Sequence, residues 1–248
     1  MTDKQIENGR SRAMIYSMLA QSLWWPTEPL CIAIEDGTFH RFLRSALADA
    51  PKRHRRTMVP EVDKFTLLPD AQPFFASLTI EYTKLFSLDL NCPHYEADYL
   101  APDPNNSVHM IAAVANVYSI FGMHLAENTR ERPDHIAVEL DFMNFLSSKE
   151  VYARENCQEE NVKLCRQAQA FFLKAHLLCW GNRFTQILRS ATSFWFYQGI
   201  AWLLASFLEA EAKYLRVQTP APLLSARSSV PMPNNGLVTI TGLRQTHS

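Results

Sequence analysis

Apolar residues recur at three- and four-residue intervals in every strongly patterned stretch of this chain, and that spacing places them on one face of an α-helix. The clearest stripe contains Phe74, Leu78, Tyr82 and Leu85. Runs of alternating β-branched residues, which would indicate strands, are few. Only seven of the 248 residues are glycine. The pattern therefore predicts an all-α protein.

The stripes and the breaks between them predict a single-domain multi-helix bundle. We expect helices near residues 10–24, 29–48 with a break at Gly37, 70–87, 106–125, 133–155, 158–181 and 186–214. Hydrophobic residues make up 47% of the chain, which is enough for one large core. We therefore predict one helical domain over residues 1–217. Residues 218–248 are rich in proline, serine and asparagine, and they predict a flexible, Pro-rich C-terminal tail.

The stretch 192–208 is the most apolar part of the chain. It is shorter than the roughly 20 residues that a bilayer crossing needs, and Gln198 interrupts it. It therefore predicts a buried helix and no stable membrane insertion. We expect Trp195, Trp202 and Phe207 to be largely buried in the core.

Charge is nearly balanced, with 24 Lys plus Arg against 25 Asp plus Glu. No overall field therefore attracts nucleic acid or an anionic membrane. The dense basic run at 52–56 lacks interleaved aromatic residues, and it is typical of a solvated linker between helices. Five cysteines without a Cys-x-x-Cys pair fit a reducing compartment. We expect a cytoplasmic protein that binds no nucleic acid.

A proline at the start of one expected helix brings several polar residues to one point. Pro133 fits the first helical position, where its missing N–H is no loss. Asp134 then lies where the positive end of the helix dipole favours a carboxylate. His135 and Glu139 are four residues apart and share one face. Taken alone, this pattern describes a well-started helix whose polar residues face water.

A long connection precedes that helix. Prolines between residues 89 and 106 exclude a continuous helix and predict an ordered, turn-rich loop. Loops of this length inside compact helical domains are often functional. Tyr95 and Tyr99 are placed either to attach the loop to the core or to contact a ligand, and the sequence does not separate these roles.

The motif Glu-x-Pro-Asp-His-Ile at 131–136, followed by Glu-Leu-x-Phe-Met, resembles the signature of the TorD/DmsD family of redox-enzyme maturation chaperones. Upstream, residues 82–86 are similar to the family's aromatic-x-x-Leu-Phe helix end, and residues 92–99 to its Pro-x-Tyr-x-x-x-Tyr loop. The likeness runs from about residue 80 to about residue 208. The sequence Tyr-Glu-Ala-Asp-Tyr and the insert at 137–138 most closely resemble those of chaperones of type II DMSO-reductase-family molybdoenzymes.

The resemblance implies an all-helical cytoplasmic chaperone that is not an enzyme. It would bind the catalytic subunit of a molybdenum oxidoreductase, hold it until cofactor insertion and so delay its export. The client would carry a twin-arginine signal peptide, whose arginines suit carboxylates. The expected client-binding residues are Glu131, Asp134 and Glu139 for the arginines, Phe86, Tyr95, Tyr99 and Pro133 for the apolar part, and His135 of the motif.

Two other interpretations remain open. His135 and Glu139 have the spacing of two metal ligands on a helix, and Asp134 adds an oxygen donor, so the alternative is a small metal-dependent enzyme centred on His135 and Glu139. Further ligands with diagnostic spacing are lacking in the sequence, and we expect neither a metal nor a cofactor. Nucleophile and phosphate-loop motifs are absent from the sequence as well. A third possibility is a stable subunit of the mature enzyme.

Overall fold

The computed structural model describes residues 3–64, 74–88, 92–126, 129 and 131–218. The helices are α1 Asp3–Leu23, α2 Glu28–Glu35, α3 Thr38–Asp49, α4 Lys52–Lys64, α5 Phe74–Thr83, α6 Ala97–Leu100, α7 Pro104–Ile120, α8 Ile136–Glu155, α9 Glu159–Phe172, α10 Leu178–Ala191 and α11 Trp195–Tyr214. One π-helical turn follows α5, and another joins α9 to α10. The described residues contain no strand, which confirms the predicted all-α bundle.

Helix ends follow local capping chemistry. The Thr27 side chain accepts a hydrogen bond from the N–H of Leu30 and begins α2. Asp103 does the same for Asn106 at the start of α7. Gly37 has φ +74°, a left-handed conformation that favours glycine, and it separates α2 from α3. The predicted break at Gly37 is therefore confirmed.

The bundle is built on a few extensive helix pairs. α1 packs most extensively against α8, α8 also packs against α9, and α11 lies between α4 and α10. Aromatic side chains fill much of the space between them. The fully buried aromatic residues include Tyr16, Tyr118, Phe142, Phe172, Trp180, Phe184, Phe196, Tyr197 and Phe207.

A buried ionic cluster joins three helices. The Arg12 guanidinium of α1 is fully buried, and two of its nitrogens donate to the two carboxylate oxygens of Glu211 in α11, each at 2.6 Å. Tyr16 also donates to Glu211, at 2.8 Å, and His54 of α4 lies 2.7 Å from it. Burial acts to raise the pKa of Glu211, but the Arg12 charge outweighs it and holds that pKa well below its ordinary value. A buried charge without its partner is costly, so this cluster fixes α1, α4 and α11 together.

The basic run at 52–56 is not a solvated linker. It forms the first turn of α4, and that prediction was wrong because His54 is fully buried against Glu211. The neighbouring basic side chains remain exposed on the other face. One buried contact thus places the whole run in a helix.

The expected helix end at 181 is also absent, and α9, the π-helical turn and α10 form one continuous helix. Gly181 lies inside it, where a Cβ atom would be only 2.8 Å from Leu208 Cδ1. This glycine permits close approach of α11 rather than ending a helix. The chain turns instead after α10, where Thr192 Oγ1 accepts from the N–H of Phe194.

The expectation that all three aromatic residues of α11 are buried was partly wrong. Phe207 is fully buried and Trp195 is partly buried. Trp202 is 45% exposed, and the Arg189 guanidinium lies over its ring at 4.0 Å. A cation covering one ring face allows this tryptophan to stay at the surface.

Among the described helices, α11 included, none has the length and apolar character needed to cross a bilayer. Of the predicted tail at 218–248, only Gln218 is described. The flexible tail and its boundary therefore stay predictions.

Candidate functional site

The polar motif lies in a turn ahead of α8. The helix begins at Ile136, and His135 caps it, because His135 Nδ1 accepts a hydrogen bond from the N–H of Ala137 at 3.0 Å. The prediction that Pro133 occupies the first helical position was therefore wrong. Pro133 lies in the turn, and its carbonyl accepts from the Tyr118 hydroxyl at 2.8 Å. The cap and this bond fix the motif at the end of the helix.

Backbone hydrogen bonds hold this turn against the loop at 92–100. The N–H of Ile136 donates to the carbonyl of His94 at 2.9 Å, and the N–H of Glu96 donates to the carbonyl of Asp134 at 2.8 Å. The two segments form a short antiparallel bridge. Two sequence-distant segments that the family resemblance singled out are thus adjacent.

Asp134 is fully buried and already paired within the chain. Its carboxylate accepts from Arg132 Nε at 2.9 Å and Nη2 at 2.6 Å, and from the N–H of Ala97 at 3.0 Å. The Arg132 side chain is 34% exposed, and its guanidinium lies 4.2 Å from the centre of the Tyr95 ring. Asp98 lies 3.6 Å from another nitrogen of the same group. Asp134 is therefore closed off from solvent, with its charge paired to the partly exposed Arg132.

Glu131 has more access to solvent. It is partly buried, and its carboxylate accepts from the Tyr95 hydroxyl at 2.6 Å. Burial raises the pKa of Tyr95 above its ordinary value, and the Glu131 charge adds to this effect. Of the three carboxylates expected to meet arginines, Glu131 is the one that the structure leaves partly open.

Aromatic residues from the end of α1 and from α5 surround the motif turn. The Trp24 indole stacks on the His135 imidazole, with ring centres 4.9 Å apart. Trp25 is 51% exposed and meets the Tyr82 ring edge-on at 5.1 Å. We call Trp24, Trp25, Tyr82, His94, Tyr95, Glu131, Arg132 and His135 the motif site.

Two of the expected apolar contacts lie behind this surface. Phe86 is 4% exposed and packs against Tyr82 and His94, so it supports the motif site from within. The Tyr99 hydroxyl donates to the carbonyl of Pro93 at 2.6 Å, and its ring contacts Trp180. These contacts of Tyr99 attach the loop to the core.

Glu139 lies deeper still, in a buried polar layer. It is fully buried, and one carboxylate oxygen accepts from Trp180 Nε1 at 3.3 Å. Burial raises the pKa of Glu139 well above its ordinary value, and nearby Glu96 adds to the shift. Glu96 in turn lies 2.9 Å from Nδ1 of His176, in the π-helical turn between α9 and α10. The structure thus separates Glu139 from the surface where Glu131 lies.

One group of described residues has the composition of a metal site. His94, Glu131 and His135 each place a potential ligand atom within 4.8 Å of the others. Glu139, which the sequence paired with His135, is not in this group. In a neutral imidazole only one nitrogen carries a proton. Because His135 Nδ1 accepts from Ala137, the proton is on Nε2.

That tautomer does not suit metal binding. A metal-bound histidine donates through its second nitrogen, whereas the second nitrogen of His135 is an acceptor. Burial lowers the pKa of His94 to about 4 and that of His135 well below its ordinary value, so both rings are neutral at pH 7. The His135 Nε2–H has no hydrogen-bond partner among the described residues. His135 itself is fully buried, so this unpaired donor lies inside the protein and not at its surface.

Several residues of the motif site were missed by sequence reasoning. Trp24 and Trp25 end an amphipathic helix and precede Pro26, a pattern that gives no sign of contact with a segment more than a hundred residues away. Arg132 is the variable residue of the Glu-x-Pro-Asp-His-Ile motif, and its pairing with Asp134 can be recognised only from the structure. His94 lies in the long loop, and its spacing from the other histidines in the sequence indicates no partner.

The structure therefore defines an all-α protein with a cluster of polar and aromatic side chains at the turn ahead of α8. Carboxylates, neutral imidazoles and an exposed tryptophan surround a rigid turn. The chain belongs to the nitrate reductase delta subunit family, whose model matches residues 56–186, just over half of the chain.

Comparison with individual relatives agrees with this family assignment. The chain is 33% identical to the chaperone protein TorD of Vibrio parahaemolyticus over 97 residues, which cover 38% of this chain and 43% of that protein. It therefore spans less than half the length of that relative. It is 25% identical over 209 residues to the chaperone protein TorD of Vibrio cholerae, covering 81% of this chain and 90% of that protein.

A third relative is the perchlorate reductase assembly chaperone protein of Dechloromonas aromatica. It is 23% identical over 184 residues, which cover 71% of this chain and 77% of that protein. These likenesses confirm the resemblance to the TorD/DmsD family. All three relatives are named as chaperones.

Proposed function

We propose that this protein is a cytoplasmic assembly chaperone for the catalytic subunit of a molybdenum oxidoreductase. It holds the subunit until the cofactor is inserted and so delays its export. Family membership and the names of the relatives, TorD chaperones and a perchlorate reductase assembly chaperone, support this proposal. Within the molybdoenzymes, a client of the type II DMSO-reductase family fits best. One relative is named as the assembly chaperone of perchlorate reductase, and the Tyr-Glu-Ala-Asp-Tyr sequence resembles that of chaperones for this enzyme group.

We infer further that the motif site binds the client's twin-arginine leader peptide. Such a peptide joins a cationic part to an apolar part, and it needs carboxylates beside a nonpolar surface. The observation that carries this inference is the position of Trp25, which is 51% exposed at the edge of the same cluster that holds Glu131. A large exposed aromatic residue beside charged groups is a common anchor in protein interfaces.

The chemistry of each part of the site suits this peptide. The Glu131 carboxylate accepts hydrogen bonds from a leader arginine. The His135 imidazole is fully buried against the Trp24 ring, so it supports this surface from within. Trp25 and the edge of Tyr82 contact the apolar residues that follow the arginines.

Calorimetric titration tests this function directly. The probe is a synthetic leader with two adjacent arginines followed by an apolar stretch, and the control peptide has lysines in place of both arginines. We expect the arginine leader to bind the wild-type protein and to bind Glu131→Gln more weakly by about 1–3 kcal/mol. Equal binding of both peptides, or of wild type and variant, contradicts the assignment of this site. Co-purification with the exported mature enzyme would instead favour a stable subunit.

A further inference from the structure

Arg132 is held as a ligand would be. Its guanidinium makes a two-nitrogen contact with the buried carboxylate of Asp134, lies over the ring of Tyr95 at 4.2 Å, and has Asp98 at 3.6 Å. We call the pocket formed by Asp134, Asp98 and the Tyr95 ring the guanidinium cradle. Carboxylates in the plane of the group and an aromatic ring on its face are the contacts that guanidinium prefers.

We propose that the guanidinium cradle is the binding site for an arginine of the client leader, and that Arg132 occupies it until the leader arrives. The proposal rests on the leader-binding function inferred above. It adds an exchange: one guanidinium leaves the cradle as another enters. The site is therefore specific for a guanidinium and not for any cation.

Burial explains why an internal occupant is needed. Asp134 is fully buried, and beyond Arg132 its carboxylate has the N–H of Ala97 as a hydrogen-bond donor. An uncompensated buried charge is strongly destabilising. The free chaperone therefore cannot hold this carboxylate ready for a client unless a cation of its own covers it.

The local anchoring allows the exchange without unfolding of the motif. Glu131 is bonded to the Tyr95 hydroxyl, and the carbonyl of Pro133 is bonded to Tyr118, so both neighbours of Arg132 are held independently. The Arg132 side chain is one-third exposed and can turn outward into water. Only this side chain has to move.

The first experiment uses a small guanidinium in place of the leader. Arg132→Ala empties the cradle, and thermal unfolding is followed with increasing N-ethylguanidinium chloride or, as control cation, ethylammonium chloride. We expect a saturable rise in the melting temperature of Arg132→Ala with ethylguanidinium alone, because a ligand that binds the native state stabilises it. Arg189→Ala is the matched control, since Arg189 also lies over an aromatic ring, that of Trp202. Equal responses of Arg132→Ala, Arg189→Ala and wild type overturn the proposal.

The second experiment uses wild-type protein and so does not depend on the folding of a variant. Arginine Nε–H exchange is measured by nuclear magnetic resonance with the two leader peptides described above. We expect slow exchange of the Arg132 Nε–H in the free protein and fast exchange once the arginine leader is bound. An Nε–H that stays protected with the arginine leader bound contradicts the exchange.

The two proposals fail in different ways. If the leader fails to bind but ethylguanidinium stabilises Arg132→Ala, the cradle is real and the leader function is wrong. If the leader binds but leaves Arg132 protected, the leader function stands and the exchange is wrong. Affinity gives a further check: Arg132→Ala should bind the arginine leader at least about tenfold more tightly than wild type, because no internal group competes.

Discussion

The Trp24 indole lies parallel to the His135 imidazole, with ring centres 4.9 Å apart and planes within 10° of each other. Trp24 Nε1 also donates to Asp141 of α8 at 3.0 Å. The end of α1 is thereby joined to the start of α8. Because the family model begins at residue 56, this tryptophan completes the motif site from outside the matched region.

The neighbouring Trp25 gives the first prediction. Trp25→Ala should leave the stability of the fold nearly unchanged, because the side chain is half-exposed. Leader binding should weaken by about 1–3 kcal/mol, as expected for an aromatic anchor. Trp202→Ala is the control, since Trp202 is 45% exposed on α11. If both variants bind the leader as wild type does in calorimetry, Trp25 has no part in recognition.

The second prediction concerns the ionic cluster of the core. Arg12→Met should lower the free energy of unfolding by about 3–5 kcal/mol, because it leaves the fully buried Glu211 without its counter-charge. Arg10→Met, two residues earlier, removes an exposed pair with Glu155 and should change stability little. Urea unfolding followed by circular dichroism measures both. Similar losses in the two variants would show that burial of the Arg12 pair does not matter.

The third prediction follows from the raised pKa of Glu139. The unfolded state releases this proton near the ordinary value of 4.5, whereas the folded state keeps it to higher pH. Wild-type stability therefore falls as pH rises from 4.5 toward the folded pKa. Glu139→Gln lacks this titration and can still accept from Trp180. It should be more stable than wild type at pH 7, with the gain disappearing below pH 4.5.

Unfolding free energies of Glu139→Gln and wild type across that pH range test the sign. Glu155→Gln, an exposed carboxylate at the end of the same helix, is the control. A variant that is less stable than wild type at pH 7 would mean that the buried carboxyl is ionised and paired in the folded state.

The fourth prediction separates two carboxylates of the motif. Asp134→Asn should cost about 1–3 kcal/mol of stability, because it weakens the bond to Arg132 in a buried place. Glu131→Gln should cost less, since Glu131 is partly open and its amide still accepts from Tyr95. Thermal unfolding of both variants makes the comparison. Equal melting temperatures would show that Asp134 does not hold the turn.

Much of the helical pattern could be predicted from the sequence, because apolar spacing is a local property. The break at Gly37 and the burial of Phe207 were predicted and are confirmed. The helix at 52–64 was missed because it depends on His54 meeting Glu211, a partner 157 residues away. Local charge density cannot reveal such a contact.

The site shows the same division. The motif and the loop that lies against it could be named from the sequence, because both carry recognisable residues. How deeply each of these side chains is buried could not be predicted from the sequence. Asp134 and Glu139 are fully buried, while Glu131 stays partly open. This difference in burial depends on where α8 begins. His135 is its N-cap, so the helix starts three residues later than expected from Pro133.

Capture of the client tests the central claim most directly. The tagged protein is recovered from the cytoplasm of its own cells, and the bound proteins are identified by mass spectrometry beside a Trp25→Ala sample. We predict one dominant partner, the catalytic subunit of a molybdenum oxidoreductase still carrying its twin-arginine leader, strongly reduced in the variant. Recovery of no such subunit, or equal recovery of leader-free subunit by both proteins, would contradict a leader-binding assembly chaperone.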